Sequence, residues 1–382
     1  MSTNLSYVLI TPYSTAKGRA GGIIARLLSR TDLELAGAQM VSLDGDFASS
    51  YADLLRRTAD GEKSLLADYV EQNFARGGGL AMFLLFRGEN PCEKLLEVCG
   101  RLNPAHRTRI DEILGRSIRD AYADFIVDPS DSQKIVYFEP AVITARTSGE
   151  ASGALKLFLP YLRKFQDAEK NSASVKEKKL QRTLIIIKPD NWNFSSTRPG
   201  AILDMFSASG LRIIGVKIHN FSLEEALLFY GPVEQALKSK LAPMFGKKAR
   251  EVLEREFGLP LTDETEKALC ESFGAQYARD QFERIVEFMS GSRPGNPSSK
   301  PVKTMIVVYE GEDAVAKIRN ILGPTDPSKA PGGTIRREFG SSVMVNAAHA
   351  SDGDESYERE KNIVKINKNG AADLIEDYLK TS

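Results

Sequence analysis

Histidine and cysteine, three of each, are the scarcest of the residue types that carry nucleophilic or acid–base chemistry in this 382-residue chain. The histidines are His106, His219 and His349. They are far apart and lack carboxylate or thiol partners at metal-ligand spacing, so a histidine metal cage is a poor reading. His106 lies in a polar loop, NPAHRTR, and His219 follows the apolar run RIIGVKI, both ordinary surface or strand-end settings. His349 differs. In VMVNAAHASDGDESYERE an apolar strand delivers Asn346 and then His349 to the start of a helix, where Ser351 or Asp352 can cap and Glu355 supports the first turn. A lone strand-end histidine is structural more often than catalytic, and the residues alone leave both readings open. Just upstream, GPTDPSKAPGGTIRREFG (323–340) is a long loop punctuated by Gly and Pro that carries Thr325, Lys329, Arg336 and Arg337. Such loops offer backbone N–H groups and cations to phosphate oxygens, which arginine can hold in bidentate fashion. Neither GxxxxGKS nor GxxxxGKT occurs, which excludes a P-loop.

Composition limits what can surround these residues. Fifty-one Lys and Arg balance fifty-one Asp and Glu. That argues against broad electrostatic binding to nucleic acid or an anionic membrane and still permits a local basic pocket. With 42% hydrophobic and 27% charged residues the chain can bury sizeable cores. Its three cysteines, Cys92, Cys99 and Cys270, form no CxxC pair, which argues against a disulfide scaffold or a structural zinc site and fits a reducing compartment. The start, Met1 to Ser6, has no basic segment leading into an apolar stretch, and no window reaches ~18 consecutive apolar residues. The expectation is a soluble, cytoplasmic protein with no signal peptide or transmembrane helix.

The elements that position the candidate residues follow from an internal repeat. Residues 7–40 and 183–218 both read as apolar strand, Pro-containing turn, Gly-opened amphipathic helix and second strand, with Gly37 matching Gly215. LAMFLLFRGENPCEKLLEVCGR (80–101) parallels KTMIVVYEGEDAVAKIRNILGP (303–324), and SIRDAYADF (117–125) parallels TIRREFGSS (334–342). The matches run in the same order. The second copy has about 45 extra residues between Tyr230 and Gln281, with helical periodicity and a turn at Gly258-Leu-Pro260, read as two or three added helices. Each copy thus has the order β-α-β-β-α-β, which packs helices against one face of an antiparallel sheet. The predicted fold is α+β, two tandem ferredoxin-like domains: 1–162, a polar linker at 163–181 read as a solvated charge run, and 182–382 with a helical insert at about 231–280.

On the segments TLIIIKPD (183–190), GEDAVAKIRNILGPTDP (311–327), PGGTIRREFG (331–340) and NAAHASDGDESYERE (346–360), the second copy resembles the nucleoside diphosphate kinase family. The NxxHxSD signature followed by ESxxRE is highly diagnostic. The first copy resembles the same family more faintly over 7–125. The resemblance implies transfer of the γ-phosphate of a nucleoside triphosphate to a diphosphate, by a ping-pong route through a phosphohistidine. It makes His349 the nucleophile, a neutral imidazole with an ordinary pKa of ~6.5 being usable at neutral pH. Glu360 matches the carboxylate that orients the ring, and Lys188 the lysine that reaches the phosphates and the sugar 3′-hydroxyl. Arg319, Thr325 and Arg336 match the phosphate-binding set, Asn346 the ribose contact, Ser351 a hydroxyl bonded near the nucleophile, and Tyr230 a tyrosine near the site. The implied cofactor is magnesium (Mg2+), held mainly by nucleotide phosphates and water.

The sequence departs from the family in three places. The insert falls in the helical lid, where Gln281 aligns with the family's base-stacking phenylalanine and Phe282 stands beside it. The loop before Arg336 has one extra residue, at Gly332-Gly333. In the first copy Lys-Pro-Asp becomes Thr11-Pro12-Tyr13, and the nucleophile's position, counted back from EASGALKLF, falls near Thr144, although Arg119 survives. The first copy is therefore expected to be non-catalytic. Family members assemble by pairing like subunits, so the two copies are expected to form an intra-chain pseudo-dimer, with further homo-oligomers left open. The alternative function is a nucleotide-binding regulatory protein of the same fold with impaired exchange.

Overall fold

The computed structural model describes residues 4–57, 61–74, 79–102, 115–165, 167–172, 180–296 and 300–381; His106 lies outside them. Apolar, β-branched runs bounded by Pro and Gly become the central strands, and runs with apolar residues at helical spacing become the helices that cover them. The first half runs β1 (Asn4–Ile10), α1 (Pro12–Ala16), α2 (Ala20–Arg30), β2 (Glu34–Ser42), α3 (Gly45–Arg57), α4 (Gly61–Phe74), β3 (Leu80–Gly88), α5 (Pro91–Cys99), α6 (Ile118–Tyr122), the hairpin β4 (Asp124–Asp128) and β5 (Asp131–Glu139), β6 (Val142–Thr144) and α7 (Ser148–Lys164). The second runs β7 (Gln181–Ile187), α8 (Arg198–Ser207), β8 (Arg212–His219), α9 (Leu223–Phe257), α10 (Asp263–Leu269), α11 (Ala275–Ser290), β9 (Thr304–Gly311), α12 (Ala314–Leu322), α13 (Ile335–Phe339), β10 (Ala348–Ala350), α14 (Asp354–Ile363) and α15 (Ala371–Thr381). The sheet orders are β2-β3-β1-β6 and β10-β7-β9-β8. Both are the order expected of a ferredoxin-like βαββαβ half, so the fold is α+β with two such halves in tandem.

Backbone details repeat as well. Thr11 N–H donates to Ala141 O at 3.1 Å, and Lys188 N–H donates to Ala347 O at 3.0 Å. Ala141 and Ala347 both take positive φ (61° and 67°), as do Asn90 and Asp313 at the starts of α5 and α12 (50° and 54°). Such conformations cost free energy in non-glycine residues, so their recurrence reflects a shared chain path.

The described chain divides into two units, Met1–Ile218 with Met305–Ser382, and His219–Thr304. In the first unit one cluster of buried side chains runs from Ile23, Leu27 and Met82 of the first half to Ile202, Phe206 and Val307 of the second. At its centre α2 and α8 cross with reciprocal contacts. A Cβ on Gly21 would lie 2.5 Å from Asp204 Cα, and one on Gly200 would lie 2.5 Å from Ala25 Cα. Each glycine meets the residue four beyond the other, the pattern of an isologous contact. The ends of the halves cross over too. Ala371, at the start of α15, lies against Gly37 of β2, and Ala168 lies against Gly215 of β8. Asn369 Nδ2 donates to Ala38 O at 2.7 Å and to Val216 O at 3.0 Å. Ala372 and Ile375 of α15 are buried in the core of the first half.

The other unit is helical. Helix α9 opens on a capping box, Ser222 with Glu225. It runs 35 residues, through Pro232 and Pro243, and stops at Gly258 in the left-handed conformation. The insert is thus not added from Tyr230 onward but continues a helix begun at Leu223, with the Gly258 turn where the sequence places it. Gly246 and Gly274 let α9 approach the π-helical turn Cys270–Gly274, and Phe245 stacks on Tyr277 at 3.7 Å.

Candidate functional site

The three-residue strand β10 pairs antiparallel with β7, with His349 opposite Ile186. Pairing fixes the direction of the side chain, and α14 supplies its partner. His349 Nε2 lies 3.0 Å from both Oε1 and Oε2 of Glu360. Ser351 Oγ donates to Glu360 Oε2 at 2.8 Å. Glu360 and Ser351 are buried and His349 is partly exposed, 23% of its side chain being accessible. A carboxylate only accepts, so Nε2 carries the proton in this hydrogen bond, and in the neutral ring the lone pair is then on Nδ1.

A second group converges from the end of β7 and the 323–346 loop. Lys188 Nζ donates to Asn346 Oδ1 at 2.6 Å and to Met344 O at 3.3 Å. Asn346 Nδ2 donates to Thr325 O at 3.0 Å and to Val343 O at 2.9 Å, so one buried carboxamide ties the lysine to the loop. Arg336, on α13, donates to Gly323 O at 3.0 Å and to Ala348 O at 3.2 Å, bracing the loop against the strand that carries His349. Burial, and then the nearby Arg336 charge, push the Lys188 amine down to about 8. Arg319 is exposed on α12. A hydrogen bond from Ser356 holds the Asp352 carboxyl below its ordinary value, and the charges of Arg319 and His349 add to this.

The compact unit therefore brings together His349, Glu360 and Ser351 as one hydrogen-bonded group, and Lys188, Asn346 and Thr325 as another, with Arg336 bracing the same loop and Arg319 near Asp352. Tyr230 belongs to the helical unit, on α9, with its ring 5.1 Å from Phe229. Phe282 is 4% exposed within that same unit, so its ring presents no open face to a base. Gln281 Nε2 donates to Asp280 at 3.3 Å. His219 is paired with Glu225 at 3.2 Å.

The sequence reading missed two residues that support this site. Asn191 Nδ2 donates to Lys188 O at 3.1 Å and to Ala347 O at 2.8 Å, locking the Lys-Pro-Asp turn onto the approach to His349. Arg198 donates to Asn191 Oδ1 at 3.2 Å and to Phe339 O at 2.7 Å, and lies 3.7 Å from Asp190. A polar Asn and an Arg flanking a strand end were the only signals, and both are common on surfaces.

In the first half the same positions hold different chemistry. Arg119 is bound as Arg336 is, to Gly100 O and, at 3.0 Å, to Val142 O. Thr11, in the place of Lys188, donates to the buried Glu139 at 2.5 Å, which also accepts from Tyr69. The expected position near Thr144 shifts by one residue. Ile143 pairs with Leu9 as His349 pairs with Ile186, so Ile143 stands where His349 stands. Around it Tyr7, Phe47, Tyr51 and Phe158 pack into a closed apolar core.

A family model described as Nucleoside diphosphate kinase matches residues 258–368, the stretch that carries Arg319 to Glu360. The nucleoside diphosphate kinase of Helicobacter pylori (strain P12) is 32% identical over 180 residues, 47% of this chain and 91% of that one. That of Halorhodospira halophila (strain DSM 244 / SL1) is 32% identical over 181 residues, 47% of this chain and 89% of that one. The crystal structure of the Aquifex aeolicus nucleoside diphosphate kinase aligns at 30% identity over 48% of this chain and 94% of that chain, with a TM-score of 0.32. With 91% of a relative's length matched at 32% identity, the chain belongs to the nucleoside diphosphate kinase family.

Proposed function

We propose that the second half, residues 182–382, is a nucleoside diphosphate kinase that works by ping-pong transfer through phosphorylated His349. The observation that carries this reading is the orientation of His349 by Glu360, itself held by Ser351, beside a loop braced by Lys188, Asn346 and Arg336. With Nε2 donating to Glu360, Nδ1 attacks the γ-phosphorus, the bond to the β-phosphate oxygen breaks and a nucleoside diphosphate leaves. A second diphosphate then takes the phosphoryl group in the reverse sense. Glu360 stabilises the charge that the ring gains as its nitrogen becomes bonded to phosphorus. Lys188 and Arg336 are pre-placed cations for the oxygens of the transferring group, and Arg319 and Thr325 complete the phosphate contacts. Asn346 serves the ribose. Tyr230 is left out of this scheme.

Among the described residues no cluster of three or more His, Cys, Asp or Glu could cage a metal. The donor set instead fits magnesium carried on the nucleotide phosphates, with Asp352 as the carboxylate that would receive it through water. When bound, it neutralises charge on the phosphate oxygens. No described helix is long and apolar enough to cross a membrane.

We propose further that the first half, residues 1–162, is non-catalytic and serves as the built-in partner of the second, an intra-chain pseudo-dimer. The reciprocal Gly21 and Gly200 contacts and the exchanged ends support this. A second reading, a nucleotide-binding regulatory protein with impaired exchange, is favoured by one observation, the burial of Phe282. Incubation with γ-labelled ATP followed by a GDP chase separates the two. An acid-labile label that leaves as GTP, and is absent in His349→Ala, is expected. Exchange near the wild-type rate in that variant would sink the proposal, and a label that GDP cannot remove would select the second reading.

A further inference from the structure

The segment joining the halves reaches the helix that aims the candidate nucleophile. Ala168–Asn171 forms a 3-10 turn capped by Asp167 and lies along the edge of the second half. Asn171 Nδ2 donates to Ile214 O at 2.9 Å, and Arg212 donates to Asn171 O at 2.9 Å. Glu169 projects from this turn to α14, where its Oε1 accepts from Lys361 Nζ at 2.9 Å and from the Tyr357 hydroxyl at 3.0 Å. Arg182 lies 3.3 Å from the same oxygen. Lys361 directly follows Glu360, and Tyr357, which is buried, is one turn before Lys361 on the same helix face. Just past Lys361, the C-terminal end of α14 is held by the buried Lys217, whose Nζ donates to Val364 O at 2.9 Å and Lys368 O at 3.0 Å.

Two anchors spaced i and i+4 on one face do more than hold a helix near a surface: they set its rotation about its own axis. Side-chain ends lie ~5–6 Å from that axis, so a roll of roughly 10° moves the Glu360 carboxylate by about 1 Å. A displacement of that size is enough to spoil a positioned catalytic hydrogen bond. Building on the phosphohistidine reading above, we infer that Glu169 is a positioning residue for phosphoryl transfer. By clamping Lys361 and Tyr357 it holds α14 at the rotation that points Glu360 at His349 Nε2. The joining segment is then a working part of the site, although no atom of it touches a nucleotide.

The test uses the full chain with Glu169→Ala, Tyr357→Phe, Lys361→Met and the double variant Glu169→Ala/Lys361→Met. Phosphoenzyme formation from ATP is followed in single turnover, ADP affinity by calorimetry, and the His349 ring by nitrogen NMR, which three histidines keep simple. Glu169→Ala should slow phosphorylation by about 10- to 100-fold with ADP affinity unchanged, and should move the His349 Nε2 resonance. The double variant should be no slower than Glu169→Ala, because both substitutions break one clamp. Tyr357→Phe, which removes a single oxygen, should show the same effects more weakly and covers the case in which Glu169→Ala fails to fold. A wild-type rate with unmoved His349 resonances in either folded variant would overturn the inference. A wild-type protein that forms no phosphoenzyme would instead sink the phosphohistidine reading. The NMR shift would then still decide whether Glu169 sets the ring's partner.

Discussion

Under the proposed function, Lys188 should make nucleotide binding a proton-linked event. The residue is 7% exposed, and its amine donates to the neutral acceptors Asn346 Oδ1 and Met344 O. Burial and then the Arg336 charge, against a smaller opposing effect of Asp190, bring it from the ordinary 10.5 to about 8. In the free protein it is therefore roughly 90% charged at pH 7 and roughly 10% charged at pH 9. A phosphate placed beside it favours the ammonium, and a bound-state value returned toward the ordinary one leaves it almost fully charged at pH 9. Binding at pH 9 should then take up about 0.9 proton, and ADP affinity should fall by up to tenfold per pH unit between about 8 and 10. The second ionisation of a phosphate lies near ~6, outside this window, so it adds little to the signal. Calorimetry at pH 7 and pH 9, in two buffers of different ionisation enthalpy, reads both quantities. Lys188→Met should bind weakly and show no uptake at pH 9. An ADP dissociation constant that stays level from pH 7 to 9.5, or uptake that persists in Lys188→Met, would refute the reasoning.

Arg336→Ala should slow phosphorylation on the order of 10²-fold or more, since it removes a preorganised charge and the two hydrogen bonds that brace the loop against β10. Because Arg336 lowers the Lys188 pKa, the same variant should also move the pH dependence of binding upward; an unmoved profile would mean the two cations do not feel each other. Gly200→Leu puts a side chain where a Cβ already lies 2.5 Å from Gly21 O and Ala25 Cα. It should lower Tm by roughly 2–5 °C through forced separation of α2 and α8, and a change under about 1 °C would show that the helices do not meet there. Ending the chain at Asn369 removes the buried Ala372 and Ile375 and should cause aggregation or a large loss of stability. A soluble protein of unchanged Tm would show that α15 is dispensable.

The fold class was legible because its signals are local and doubled. Apolar runs, glycine punctuation and helix starts recur in one order, and each half corroborates the other. The turn from His349 into α14 was legible for the same reason. That Glu360 faces His349 was not, since eleven residues and a change of direction separate them, and only the family resemblance pointed there. The first half's counterpart of His349 was misplaced by one residue because strand register is set by pairing with β1, not by distance from the next helix. The segment around Glu169 reads as a solvated charge run because the surface that buries Ala168 and Asn171 belongs to β8, more than 40 residues further on. Helix α9 continues through two prolines that locally argue for a break.

The reciprocal crossing at Gly21 and Gly200 has a consequence for how such a chain can change. Where two separate identical subunits meet across a twofold axis, every substitution appears twice at the junction, and so does its damage. Here the two sides are spelled by different stretches of one gene, so each can be altered alone and its partner left untouched. That independence lets one half fill its strand-end cavity with Tyr7, Phe47, Tyr51 and Phe158 while the other keeps His349 open to solvent. On the pseudo-dimer proposal, fusion would convert a symmetric pair into two separately adjustable surfaces, and the same freedom would let a segment such as Ala168–Asn171 take on a role that its counterpart around Ala371 need not share.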